Sequence, residues 1–292
     1  MSSAAPARRT GIAATADGEN LMDDCSTADL RDQTWVVTGA AGTIGARLVA
    51  DLAGRVGRLV ATDLHAPTVP DGVESVAADL RDQDAVAAVL AGAYGVVHLG
   101  GIADEADLHD LAEVNVVGTY HVLEGARRTG AHRVIYASSN RATGCYPCDM
   151  PVDPSMPPRP DGVYGAMKVA AEALCRLYAD KFGLATVAVR IGSYEERPAD
   201  LRQLSTWLSP ADCLRAFRAA MSAPGVGYAC FYAVSANTRG WWSLEPGTVL
   251  GFVPQDDAEE FAAAVPDAGE TMGGPQGGEF ATPEYTLSRQ RR

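Results

Sequence analysis

Lysine is nearly missing from this 292-residue chain: only Lys168 and Lys181 are present, against 22 arginines among its 24 basic residues. A lysine kept at a meaningful spacing therefore carries information. Basic charge as a whole is short, 24 residues against 37 acidic ones for a net charge of −13, and no basic cluster occurs. A polyanion such as DNA is excluded as partner, because its phosphates demand Lys and Arg. Long apolar runs are missing too. The longest uncharged stretch, Ala85 to Ala103, contains four glycines and His98, so it reads as a helix running into a buried strand rather than a membrane span. No apolar stretch of leader length follows Arg8 and Arg9, which predicts a cytoplasmic protein with its six cysteines reduced. No metal site is expected. The five histidines lack ligand spacing, and Cys145-Tyr-Pro-Cys148 has no second pair, so that segment is assigned to a structural loop.

What is present is alternation. Residues 1–33 show little apolar periodicity and are expected to be a flexible extension. From Thr34, short apolar runs (Thr34–Thr38, Arg58–Thr62, Ser75–Ala78, Gly95–Leu99, Arg133–Ala137, Ala185–Ile191) alternate with helical patterns near Ile44–Leu52, Gln83–Ala91, Asp107–Arg128 and Val163–Phe182. Such βαβ units predict an α/β fold: a Rossmann-like parallel sheet with helices on both faces. The alternation stops after Gly192, where residues 193–262, with an aromatic run at Tyr228–Val234, predict a small C-terminal substrate lobe. One domain over 34–266 is expected, followed by a Gly- and Pro-rich flexible tail, 267–292.

Val36-Val37-Thr38-Gly39-Ala40-Ala41-Gly42-Thr43-Ile44-Gly45 places three glycines between a strand and a helix. Gly39 allows the tight turn, Gly42 close approach of a pyrophosphate, and Gly45 close packing of helix on strand, with Thr43 and Ile44 opening the helix. Asp63, 18 residues after Gly45, ends the second strand, where a carboxylate accepts from ribose hydroxyls and repels a 2′-phosphate. The expected cofactor is NAD. Leu99-Gly100 ends the fourth strand beside this loop, and Asp79-Leu80 ends the third. Asp79 either meets the adenine edge or caps a helix before Arg81.

Tyr164-Gly-Ala-Met-Lys168 is the most specific feature: a Tyr followed four residues later by Lys arises by chance about 0.07 times in such a composition. On a helix the two share one face. A phenol is too weakly acidic to serve as a base at neutral pH, and a neighbouring ammonium favours its ionised form. Ser139 follows the fifth strand and is a donor for the reacting oxygen, Ser138 is the alternative, and either also suits a turn cap. His98 is expected to be a hydrogen-bonded core residue. Asn115 is assigned to a kink, to a tie to the neighbouring strand, or to catalysis.

Together these elements resemble the extended short-chain dehydrogenase/reductase family. Ala137-Ser-Ser-Asn140, Arg159-Pro-Asp-Gly-Val-Tyr-Gly165, Arg190-Ile-Gly-Ser193, Leu204-Ser-Thr-Trp-Leu-Ser209 and Ser235-Ala-Asn237 with Trp241-Trp242 are similar to bacterial uronate dehydrogenases. The resemblance implies hydride transfer from C1 of a uronate to NAD, giving an aldarolactone. It implies Tyr164 as base, Lys168 on the nicotinamide ribose and Ser139 on the reacting oxygen. Asn140 and Ser193 are then partners for sugar hydroxyls, and Arg202 clamps the substrate carboxylate; the residue itself, without the resemblance, reads as surface. The chain departs from the pattern at Ala103, which replaces a usual serine, at Tyr194-Glu195-Glu196, and at Arg141, which replaces a usual histidine, so Arg141 is expected either to bind a second anionic group or to face solvent. The implied partner is a small anionic sugar acid, with a homo-oligomer also expected from the apolar helices at 107–128 and 163–182. Set beside this are two rivals: a dehydrogenase or ketoreductase of the same family on another polyol, and a non-catalytic NAD-binding sensor.

Overall fold

The computed structural model describes residues 30–290. Strands β1 (Thr34–Thr38), β2 (Arg58–Asp63), β3 (Glu74–Ala77), β4 (Gly95–His98), β5 (Arg133–Ser139) and β6 (Ala185–Ile191) fall where the apolar runs predict them. Between them run α1 (Thr43–Leu52), α2 (Gln83–Val89), α3 (Leu108–Leu111), α4 (Gly118–Thr129) and α5 (Val163–Phe182). Residues Ala112–Val117, joining α3 to α4, form a π turn. Later come β7 (Ser193–Tyr194), α6 (Gln203–Thr206), β8 (Trp207–Leu208), α7 (Pro210–Ser222), β9 (Tyr228–Ala233), α8 (Glu245–Val249) and α9 (Pro283–Arg289).

The main sheet has the order β3-β2-β1-β4-β5-β6-β9, every pair parallel. Because side chains alternate along a strand, each one feeds two cores. Trp35, Val37, Val97 and Ile135 pack with α1 and α7 on one face; Val36, Val96, Val134 and Tyr136 pack with α2, α4 and α5 on the other. Parallel strands covered on both faces have to be apolar throughout, which is why the runs lack the polar alternation of a half-exposed sheet. The sheet order turns back between β1 and β4, so the carboxyl ends of those strands open a crevice where such folds bind ligands.

Three expectations are corrected. The aromatic run is β9, the seventh strand of the main sheet, pairing Thr186 with Tyr228, and does not belong to the substrate lobe. The 267–292 tail is not loose where it is described. Gln276 is fully buried, and its amide accepts from Trp242 Nε1 (2.8 Å) and donates to the carbonyls of Pro147 (3.2 Å) and Met150 (2.9 Å). Of the 1–33 extension, residues 1–29 lie outside the described part, whereas Leu30–Asp32 make a 3₁₀ turn with Leu30 packed on the core. Among the described residues no helix is long and apolar enough to cross a membrane, and no cluster suits a metal ion.

Candidate active site

The crevice is a cavity of about 1220 Å³ that runs from the glycine loop to the C-terminal segment. At one end Gly39 has a positive φ of 69°, and a Cβ there would lie 2.6 Å from the Gly100 nitrogen, so the turn tolerates only glycine. A Cβ on Gly45 would sit 2.1 Å from the Gly39 carbonyl, which fixes how closely α1 approaches β1. Gly42 is different: its missing Cβ faces little besides the Gly39 carbonyl, and it begins α1 with no side-chain cap. An uncapped helix start with Gly42, Thr43 and Ile44 along the cleft is a cradle for a pyrophosphate.

Asp63 sits beside this loop, accepting from the Ala41 N–H (2.9 Å) and the Leu64 N–H (2.7 Å). Those bonds use two of its roughly four lone-pair positions, leaving acceptors for ribose hydroxyls. An adjoining pocket of about 280 Å³ is walled by Asp63, Leu64, Asp79, Leu80 and Val86, room for the flat adenine. Asp79 is engaged there by Arg81 (2.6 Å), while Asp82 caps α2 through Asp84 and Ala85. Asp79 also accepts from the Arg81 N–H (2.9 Å), so it caps the turn ahead of α2, while the helix itself is capped by Asp82. Leu99 and Gly100 line the cleft as expected. The residues present fit NAD.

At the centre, Tyr164, Lys168 and Ser139 all face the cleft from α5 and the end of β5. Lys168 Nζ lies 5.5 Å from the Tyr164 ring centre and donates to the Ala137 carbonyl (2.7 Å). Burial pushes the phenol up to about 12, opposed by the Ser139 hydroxyl and the Arg141 guanidinium. Burial also pulls the Lys168 ammonium down to about 8. At the phenol, burial among the protein groups thus outweighs charge, and Ser139 and Arg141 supply the downward pull. Both serines line the cleft, and their hydroxyls differ in partner. Ser138 donates to Glu172, which also pairs with Arg190 (2.8 Å), and so serves the core. Ser139 lines the cleft and additionally caps the turn Asn140–Thr143 by accepting from the Arg141 N–H (3.2 Å).

Asn140, Ser193 and Arg202 line the far half. Arg202 donates from Nε to the Gln276 carbonyl (2.7 Å) and from Nη1 to Ser193 Oγ (3.2 Å), and makes no ion pair among the described residues. Burial lowers its pKa, a penalty that a bound carboxylate offsets. Of the two alternatives for Arg141, solvent exposure is excluded: it is buried at the cleft wall, and its three nitrogens pair with Asp161 (2.8 Å), Asp104 (2.6 Å) and Glu105 (3.2 Å), which uses three of its five N–H donors. Among the lining residues that sequence reasoning missed are Asp104, Asp200 and Gln203 and, from the tail, Met272, Gly278, Glu279 and Phe280. Phe280 and Tyr285, aromatic side chains inside a Gly- and Pro-rich stretch, were the available signal.

Residues 35–195 match the model of the NAD dependent epimerase/dehydratase family. The chain belongs to this family. Among its relatives, the uronate dehydrogenase of Agrobacterium fabrum is 40% identical over 84% of this chain and 95% of that protein. The uronate dehydrogenase of Pseudomonas putida is 37% identical over 84% and 94%. Among solved structures, a variant of the Agrobacterium tumefaciens uronate dehydrogenase in complex with NAD superposes with a TM-score of 0.80. It is 39% identical and covers 85% of this chain and 97% of that one. Family membership agrees with the glycine loop, Asp63 and the Tyr164/Lys168 pair as they stand in the cleft.

Proposed function

We propose that this protein oxidises the C1 hydroxyl of a uronate, galacturonate or glucuronate in its ring form, with NAD as acceptor, giving an aldarolactone. The observation that carries the reading is the pairing, in one cavity, of Tyr164, Lys168 and Ser139 at the centre with an arginine, Arg202, that makes no ion pair among the described residues, beyond them. A planar guanidinium matches a carboxylate bidentately, and an acidic protein needs a local counter-charge for an acidic substrate. When bound, NAD supplies the hydride acceptor and a positively charged ring. Tyr164, ionised, takes the proton of the C1 hydroxyl at its phenolate oxygen. Ser139 holds that oxygen by a hydrogen bond, which also eases the phenol's ionisation. Lys168, stripped of water and resting on the Ala137 carbonyl, turns its ammonium to the nicotinamide ribose and keeps positive charge near the phenolate. Asn140 and Ser193 hold ring hydroxyls, and Arg202 fixes the C6 carboxylate so that C1 meets Tyr164.

Steady-state oxidation of galacturonate and of galactose, which lacks only the carboxylate, tests this. The expected result is a kcat/KM for galacturonate at least about a hundredfold higher, the worth of two charge-assisted hydrogen bonds. Equal rates on the neutral sugar, or turnover of some other alcohol alone, would remove the uronate.

A further inference from the structure

Arg202 is oriented from outside its own element. Its Nε is held by the Gln276 carbonyl (2.7 Å), and its guanidinium lies 5.2 Å from the centre of the Phe280 ring. Gly278, with a φ of 58°, passes so close that a Cβ would sit 3.0 Å from Arg202 Cδ. The contacts with Nε and the ring leave Nη2 without a hydrogen-bond partner among the described residues. The segment is itself tightly anchored. On one side the buried Gln276 side chain is locked into the lobe, and the Gly277 N–H donates to the Gly144 carbonyl (2.8 Å). On the other, Tyr285 OH donates to Asp104 (2.7 Å), a carboxylate that also binds Arg141. Phe280 thus lies between two guanidinium groups, 4.8 Å from Arg141 and 5.2 Å from Arg202. Arg141 pairs with three carboxylates, and Arg202 with none among the described residues.

We infer that the turn Gln276–Phe280 is a positioning element that aims Arg202 at the substrate carboxylate, with Phe280 as its specificity-determining side chain. A guanidinium on a flexible stem loses rotamer freedom when it binds, and a ring stacked on one face with a carbonyl on Nε removes that freedom beforehand. Arg141, Asp104 and Tyr285 act through this turn: they pin it over the cleft rather than touch substrate. The inference rests on the uronate reading for its ligand but not for its geometry.

Phe280→Ala tests it, since Phe280 is only partly buried and its loss leaves the Gln276 anchor intact. The full chain is assayed with galacturonate and NAD, and Arg202 is separately labelled with phenylglyoxal in the absence of substrate and followed by peptide mass spectrometry. The expected result is a KM for galacturonate raised about tenfold with kcat changed less than about threefold, unchanged NAD affinity, and Arg202 labelling about tenfold faster. Phe280→Tyr, which keeps the ring, should restore both readouts. An unchanged KM with unchanged labelling overturns the inference, as does a parallel loss of NAD affinity and kcat. If the wild-type chain turns over no uronate yet the labelling accelerates in Phe280→Ala, the substrate assignment fails and the positioning of Arg202 stands.

Discussion

Lys168 carries an electrostatic cost that can be read as stability. Its folded value of about 8 lies below the 10.5 of an exposed lysine, because burial disfavours the charged form. Between those two values the unfolded chain binds the extra proton and the folded chain does not, so this residue's contribution to stability rises with pH and is lost again as pH falls through about 8. Denaturant unfolding at a series of pH values should show the wild-type chain gaining on Lys168→Met by up to about 3 kcal/mol between pH 8 and 10.5. A constant difference between the two would place the ammonium in water. At this scale the site was largely legible. Tyr164, Lys168, Asp63 and the three glycines announce themselves by residue type and spacing alone, because their chemistry admits few substitutes. Arg141 was not legible, since nothing in its neighbourhood in sequence reveals that Asp104, Glu105 and Asp161, 20 to 37 residues away, converge on it.

The loop after β4 shows how an element holds the cleft open. Asn115, 1% exposed in the π turn before α4, donates to the Ile102 carbonyl (2.9 Å) and accepts from the Ile102 N–H (2.7 Å). A π turn spreads one extra residue over the helical repeat and often marks a functional position. The tie fixes Gly100, Gly101 and Ile102 as the cofactor-side wall. Asn115→Ala leaves both Ile102 groups unpaired, and should cost about 2 kcal/mol in denaturant unfolding and weaken NAD binding by titration calorimetry. Unaltered NAD affinity would show that the wall stands without the tie. Sequence periodicity found the strands and helices that flank this loop, and His98 sits where expected, between Thr38 (2.7 Å) and Thr119 (3.1 Å). It also left open what Asn115 does, because a side chain bonded to main-chain atoms has no partner that residue identity can disclose. β9 escaped for a related reason: it follows the break in the βαβ alternation, and only its pairing with β6 shows that it belongs to the main sheet.

On the scale of the whole molecule, one sheet with two cores places a dinucleotide cradle and a sugar-acid site at one edge, and a chain terminus returns to complete that edge. The α/β character and the single cleft follow from the alternation of runs and from the glycine loop. The returning terminus does not. Gly277 and Gly144 approach so closely that a Cβ on either would strike the Asp161 carboxylate, so here glycine encodes tight packing, whereas by composition it suggested a loose tail. The central step of the proposed reaction is the movement of a hydride from uronate C1 to NAD while Tyr164 takes the hydroxyl proton. The most direct measurement follows galacturonate deuterated at C1 through a single turnover. Deuterium should appear on C4 of the reduced nicotinamide, and Tyr164→Phe should abolish the transfer while still binding NAD. Reduced cofactor without the label, or label transfer undiminished in Tyr164→Phe, would contradict the account.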